Sequence, residues 1–183
     1  TISSDGTTIT EVGSLEHDTD IALNTSLVQV DPDTYALAYT GTASDGFIST
    51  FTISSDGTTI TEVGSLEHDT DHGTHNSLVQ VDSDTYALAY SGTDSDGFIS
   101  TFTISSDGTT ITEVASLEHD TDNGAHNSLV QVDSDTYALA YAGAGAGSTS
   151  DGFISTFTID SDGTITAVKT QSEGNNLEHD TDT

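Results

Sequence analysis

Apolar residues recur at every second position in short runs along this chain, with polar clusters between the runs. In residues 85–92, Tyr86, Leu88 and Tyr90 alternate with Ala87 and Ala89; in residues 97–105, Phe98, Phe102 and Ile104 alternate with Ile99, Thr101 and Thr103. Residues 76–82 are a short β-rich run, and residues 109–117 alternate more weakly and are rich in Thr and Glu. Period-two patterning with β-branched and aromatic residues predicts strands, and no helical periodicity competes with it. Residues 82–84 predict a tight turn, 91–97 a loop, and 105–108 a hairpin turn whose Asp-Gly pair supplies the backbone such turns need. Four strands joined this way predict an antiparallel meander with its polar fourth strand at the outer edge.

The meander repeats. Gly6, Gly57, Gly108 and Gly163 mark one turn at spacings of 51, 51 and 55, the last lengthened because residues 142–152 carry four residues more than residues 91–97. The chain therefore divides into a partial blade at residues 1–20, an outer strand alone, and three blades at 21–71, 72–122 and 123–183, the last with insertions. In the second strand one face is bulky (Tyr, Leu) and the other small (Ala), whereas a sheet with one face in water would make that face polar. Both faces read as buried, as in sheets stacked around an axis. The expected fold is all-β, a propeller-type repeat of four-stranded antiparallel blades, and the repeat length suits a propeller rather than a solenoid.

The run "NSLVQVDSDTYALAYSGTDSDGFISTFTISSDGTTITEV", which begins at Asn76, resembles a repeat of predicted secreted bacterial and environmental proteins that are read as β-propellers. The similarity covers nearly the entire chain. It implies the fold and brings no assigned activity with it. The architecture is also similar to WD-repeat propellers, although the chain contains no Trp.

Charge narrows the partners. Among 183 residues there are 31 Asp and Glu and one basic side chain, Lys169, for a net charge of −30. Such a surface repels nucleic acid, which needs Lys and Arg for its phosphates, and anionic membranes; no apolar run is long enough for membrane insertion. It attracts divalent cations. The absence of Cys removes disulfides, thiolate metal sites and cysteine chemistry. The chain opens in mid-repeat with no visible signal peptide, and an extracellular or cell-surface location is the expectation.

The heptad "SLEHDTD" at residues 14–20 returns at 65–71 and 116–122, and without its Ser at 177–182. Its His-Asp pair persists in every copy: His17/Asp18, His68/Asp69, His119/Asp120 and His179/Asp180. The neighbouring His72 is replaced by Ile21 in the first copy and Asn123 in the third, and His75 by Asn24 in the first. Imidazole beside carboxylate suits a transition metal, but only the pair persists. The pair is read as a hydrogen-bonded structural corner between blades. The "DSDG" turns, with Asp94, Asp96, Asp160 and Asp162, are candidate calcium ligands without the EF-hand spacing; no cofactor is required, and calcium is the one ion suggested. Asn24 heads the only N-glycosylation sequon. The alternating Tyr and Phe residues read as core rather than as sugar-stacking platforms.

Three and a fraction blades do not close a ring. The spare outer strand and the apolar positions Ile9, Val12, Ile21 and Leu23 are therefore expected to form an assembly interface with further copies of the chain. An active site is built once from unlike residues, and these copies are nearly identical. The expectation is a non-enzymatic extracellular structural protein that self-assembles through its termini into a fibre or a multi-chain propeller. The alternative is a glycan- or protein-binding propeller module that uses calcium.

Overall fold

The computed structural model describes residues 1–145, 148–167 and 177–180. Its described elements are β-strands and two short 3-10 turns. The first blade runs β1 (Leu23–Asp31), β2 (Thr34–Thr40), β3 (Gly46–Ile53) and β4 (Ile60–Asp69), and the second β5 (Thr74–Gln80), β6 (Thr85–Ser91), β7 (Gly97–Ile104) and β8 (Ile111–Asp120). The third runs β9 (Ala125–Gln131), β10 (Thr136–Gly145) and β11 (Ser148–Ile159). Two short pieces, β12 (Ile165–Ala167) and β13 (Leu177–Asp180), both pair with β11. Strand order follows chain order in each antiparallel sheet. Register repeats from blade to blade: Tyr39 faces Phe47, Tyr90 faces Phe98 and Tyr141 faces Phe153.

The blades stack small face to bulky face. Ala36, Ala38 and Ile48 of the first blade pack against Leu78, Tyr86, Leu88, Tyr90 and Phe102 of the second. Ala87, Ala89 and Ile99 of the second meet Leu129, Tyr137, Leu139, Tyr141 and Phe157 of the third. Alanine lets two sheets approach closely while the aromatic rings fill the gap between them, which is the packing density a core needs. No sheet among the described residues covers the two end faces. On the first blade Tyr35 and Leu37 are only half-buried, beside an apolar cavity of about 140 Å³ lined by Leu15, His17, Leu27 and Phe51 among others. On the third blade Ile154 is exposed.

Polar ties fix the stack at two radii. At the inner edge the Leu78 N–H donates to Ser26 Oγ and the Leu129 N–H to Ser77 Oγ, both at 3.0 Å. At the outer edge the Thr50 hydroxyl donates to the Gly108 carbonyl and the Thr101 hydroxyl to that of Gly163, both at 2.6 Å. Each outer tie seats one blade's Asp-Gly hairpin on the face of the blade before it.

The segment expected as a free outer strand differs from that expectation. Among the described residues, 7–20 form no ladder with another strand, and they carry the isolated bridge Ile2–Ile9. The segment nonetheless lies against the first blade as β4 lies against the second. A Cβ at Gly13 would meet the Gly57 carbonyl oxygen at 2.5 Å, as one at Gly64 would meet that of Gly108 at 2.5 Å. The heptad also differs from a pure corner: Ser65–Asp69 and Ser116–Asp120 are the last residues of β4 and β8. Residues 168–176, with Lys169, lie outside the described residues.

Candidate functional site

The links β2–β3 and β4–β5 meet at one end of the stack, where the Gly73 N–H donates to the Ser44 carbonyl at 2.8 Å. The Gly124 N–H bonds the Ser95 carbonyl in the same way at 3.0 Å. A Cβ on Gly73 would collide with the Cα of Gly46, and one on Gly124 with that of Gly97. Backbone thus lies on backbone, and both loops are held in fixed positions. The carbonyls of these glycines take further donors: the Thr40 hydroxyl and the Asn76 amide on Gly73, the Ser91 hydroxyl and the Asn127 amide on Gly124.

Two residues beyond each buried glycine the inner strand begins with a left-handed residue. His75 has φ 55° and His126 φ 56°, and Asn24 holds the place in the first blade at φ 50°. The ladder breaks register here, between Thr74 and Ser77 in the second blade. Such a backbone is costly for residues other than Gly, and its repetition turns these side chains to the inner edge. The His75 and His126 rings meet edge to face, with centroids 4.6 Å apart. The Thr74 hydroxyl lies 3.2 Å from both His75 Nδ1 and His72 Nε2, and Ser91 Oγ lies 3.5 Å from His75 Nδ1. Burial, then the neighbouring His126 and His72, hold the His75 pKa below its ordinary value. The arrangement therefore offers a neutral imidazole whose Nδ1 is engaged by hydroxyls and whose Nε2 is left for a ligand or water. His72 and His75 stood out in the sequence as metal candidates; His126 did not, although its position one repeat after His75 was a usable signal.

The persistent His-Asp pairs lie elsewhere. His68 of β4 packs edge-on against Tyr90 at 4.8 Å and Phe102 at 5.9 Å in the next blade. His119 meets Tyr141 and Phe157 in the third blade, and His17 meets Tyr39 and Phe51 in the first. The residues do join blade to blade, but the His is no hydrogen-bonded corner. Both ring nitrogens of His68 and His119 are buried without a hydrogen-bond partner. Burial holds the His68 pKa down to about 4, against a small opposing pull from Asp69, and that of His119 down to about 3. The aspartates cap the loop: Asp69 Oδ1 accepts the N–H groups of Asp71 and His72, and Asp18 and Asp120 do the same one repeat away. The side chains of His179 and Asp180 lie outside the described residues; their backbone is in β13.

The two "DSDG" motifs separate. Asp94 lies inside a 3-10 turn (Thr93–Ser95) in the β6–β7 link, at φ 60°, and Asp96 follows the turn. Asp160 and Asp162 form the outer hairpin, where the Thr164 N–H donates to Asp162 Oδ1 at 3.0 Å and the Gly163 N–H to the Asp160 carbonyl. One tetrapeptide adopts two structures because its neighbours in the blade differ, so it is not a repeated calcium loop. Among the described residues no group of three or more His, Asp or Glu is placed to hold a metal ion. Asn24, the sequon residue, donates from its amide to Thr40 Oγ1 at 3.3 Å. Ile9, Val12, Ile21 and Leu23 are all exposed.

Residues 33–182 match the model of a family described as lactonase, seven-bladed β-propeller. Solved structures share the fold. A protein from Lactobacillus plantarum aligns at 18% identity and a TM-score of 0.61, over 92% of this chain and 49% of its own. A Bacteroides fragilis protein assigned as a 6-phosphogluconolactonase gives 17% and 0.62, over 92% and 49%. An endo-1,4-β-xylanase from Bacteroides thetaiotaomicron gives 16% and 0.55, over 83% and 60%. The chain thus spans about half the length of the first two structures and somewhat more of the third. No curated protein matches it. The family match overturns the expectation of a non-enzymatic, self-assembling structural protein: the family carries an enzyme's name, and near-identical blades do not argue against catalysis when unlike residues such as His126 and Asn24 occupy one repeat position.

Proposed function

Because the chain belongs to the lactonase, seven-bladed β-propeller family, we propose that it supplies part of a propeller that hydrolyses lactones, with its reacting groups at the inner-edge histidines. The observation that carries this reading is the His75–His126 pair on left-handed backbone at the start of β5 and β9.

Lactone hydrolysis needs a base for water and a donor for the carbonyl oxygen. A base works best when neutral at the operating pH, and burial with two imidazole neighbours keeps His75 so. Nδ1 is engaged by the Thr74 and Ser91 hydroxyls, so Nε2 takes the proton as the water oxygen bonds the carbonyl carbon. His126, more exposed and in contact with His75, is placed to donate to the carbonyl oxygen. The ring C–O bond then breaks, and the departing oxygen takes the proton from His75, leaving a hydroxy acid.

The test is proton release from δ-gluconolactone at fixed pH, above the spontaneous rate. His75→Asn is expected to lower kcat/KM about 100-fold or more, and His126→Asn by a smaller factor. Full activity in both variants overturns the assignment.

A further inference from the structure

Carboxylates gather on the turn that is bonded to Gly124, two residues before His126. Ser95, which the Gly124 N–H holds beside the start of β9, stands between Asp94 and Asp96 in the β6–β7 turn. Glu118 at the end of β8 and Asp122 in the following loop face Asp96. Burial raises the Asp96 pKa, and so do a hydrogen bond with Glu118 and the charges of Glu118, Asp94 and Asp122. These carboxylates therefore already repel one another. Asp45, Glu67 and Asp71 occupy the same repeat positions one blade earlier. No Lys or Arg stands among the described residues, and the entire chain has only Lys169.

Two independent observations meet here: an imidazole pair suited to opening a lactone, and a group of carboxylates with no Lys or Arg among the described residues. We propose that the substrate is an uncharged lactone, and that this group both excludes phosphorylated or carboxylated lactones and expels the product. This rests on the lactonase reading above. Hydrolysis adds water across one C–O bond and yields a carboxylic acid that ionises in neutral solution, so a negative charge appears where none was. A fixed negative field binds the neutral reactant and the anionic product unequally, and in catalysis the unequal interactions are the ones that count. The field is screened over about 8 Å at physiological salt, so the selection is tunable by ionic strength.

The experiment compares δ-gluconolactone with its 6-phosphate at about 10 mM and about 500 mM salt, scales on which screening goes from weak to strong, and measures inhibition by gluconate. The expected result is a preference for the neutral lactone of at least about tenfold at low salt, shrinking severalfold at high salt, with gluconate inhibition strengthening as salt rises. The combined variant Asp94→Asn, Asp96→Asn, Glu118→Gln and Asp122→Asn is expected to narrow the preference in the same way. A phosphorylated lactone used equally well at low salt, or a preference indifferent to salt, overturns the charge selection and leaves the lactonase reading standing. Hydrolysis of neither lactone overturns the lactonase reading. In that case equilibrium binding of gluconolactone against gluconate decides the charge selection alone, and equal affinity at low salt sinks it.

Discussion

The imidazole of His68 stands edge-on to the ring of Tyr90, centroids 4.8 Å apart at 78°, and the two rings belong to neighbouring blades. No hydrogen bond holds them together, since both His68 nitrogens are buried and unpartnered. The seam therefore tolerates the neutral ring only. Burial lowers the His68 pKa from 6.5 to about 4. Protonation thus favours the unfolded chain, whose histidine titrates near its ordinary value. The contribution is complete above about pH 6.5 and is lost as pH falls toward about 4.

The first prediction follows from that sign. A fall from 6.5 to about 4 corresponds to about 3 kcal/mol. Between pH 7.5 and pH 4, denaturant unfolding of the native protein should lose about that much more stability than the His68→Phe variant, which keeps an aromatic ring at the seam and removes the titration. Parallel stability curves for the two proteins would show that burial of this ring does not govern the acid response.

The second concerns the outer ties. The Thr101 hydroxyl donates to the Gly163 carbonyl at 2.6 Å across the blade boundary. Thr101→Val keeps the shape and removes the donor, leaving a buried carbonyl unpaired. The expected cost is about 1–3 kcal/mol, read as a lower denaturant midpoint with an unchanged slope. Ser77→Ala, which strips the acceptor from the Leu129 N–H, should cost a similar amount at the inner edge.

The third is the pH dependence of catalysis. His75 titrates below 6.5 because of burial first, and then His126 and His72. Lactone hydrolysis should therefore hold its rate below pH 6.5 and fall only when His75 takes a proton. Removing a neighbouring imidazole by His126→Asn or His72→Ile should move the acid limb of kcat/KM upward, toward the ordinary histidine value. An unmoved limb would exclude His75 as the base.

Much of this architecture was legible in the residues. Tyr86-Ala87-Leu88-Ala89-Tyr90 specifies a strand buried on two unlike faces, and that pattern alone required stacked sheets, which the Ala-to-aromatic interfaces supply. The residues were less informative where two distant segments meet. That His68 is packed dry, not hydrogen-bonded, depends on Tyr90 and Phe102 of the next blade. That one "DSDG" is a 3-10 turn and the other a hairpin depends on which strands flank it. The left-handed backbone at His75 and His126 carries no Gly or Asn-Gly signal in the sequence, so it could not be read from composition. The pairing of those two rings across a blade boundary was visible only as a spacing of 51. The non-enzymatic expectation, which the family match overturns, failed for the same reason: repetition hid the few positions at which the copies differ.

One such difference leads to the last prediction. Gly73 and Gly124 each lie backbone to backbone on a glycine of the blade before, Gly46 and Gly97, with no room for a Cβ. The first copy has Ala22 at this position, where none of the described residues supplies a β2–β3 link, and Ala22 is exposed. The glycine is thus demanded by the loop contact and not by the strand that follows. Gly73→Ala should force the β4–β5 loop off Gly46, break the Gly73–Ser44 hydrogen bond and cost about 2–4 kcal/mol, at the upper end for overpacking. It should also displace His72 and His75, so that activity falls further than stability at the assay temperature explains. Ala22→Gly, made at the same repeat position without the contact, should change stability by less than about 1 kcal/mol. Equal effects from the two substitutions would mean that the glycine contact does not position the histidines.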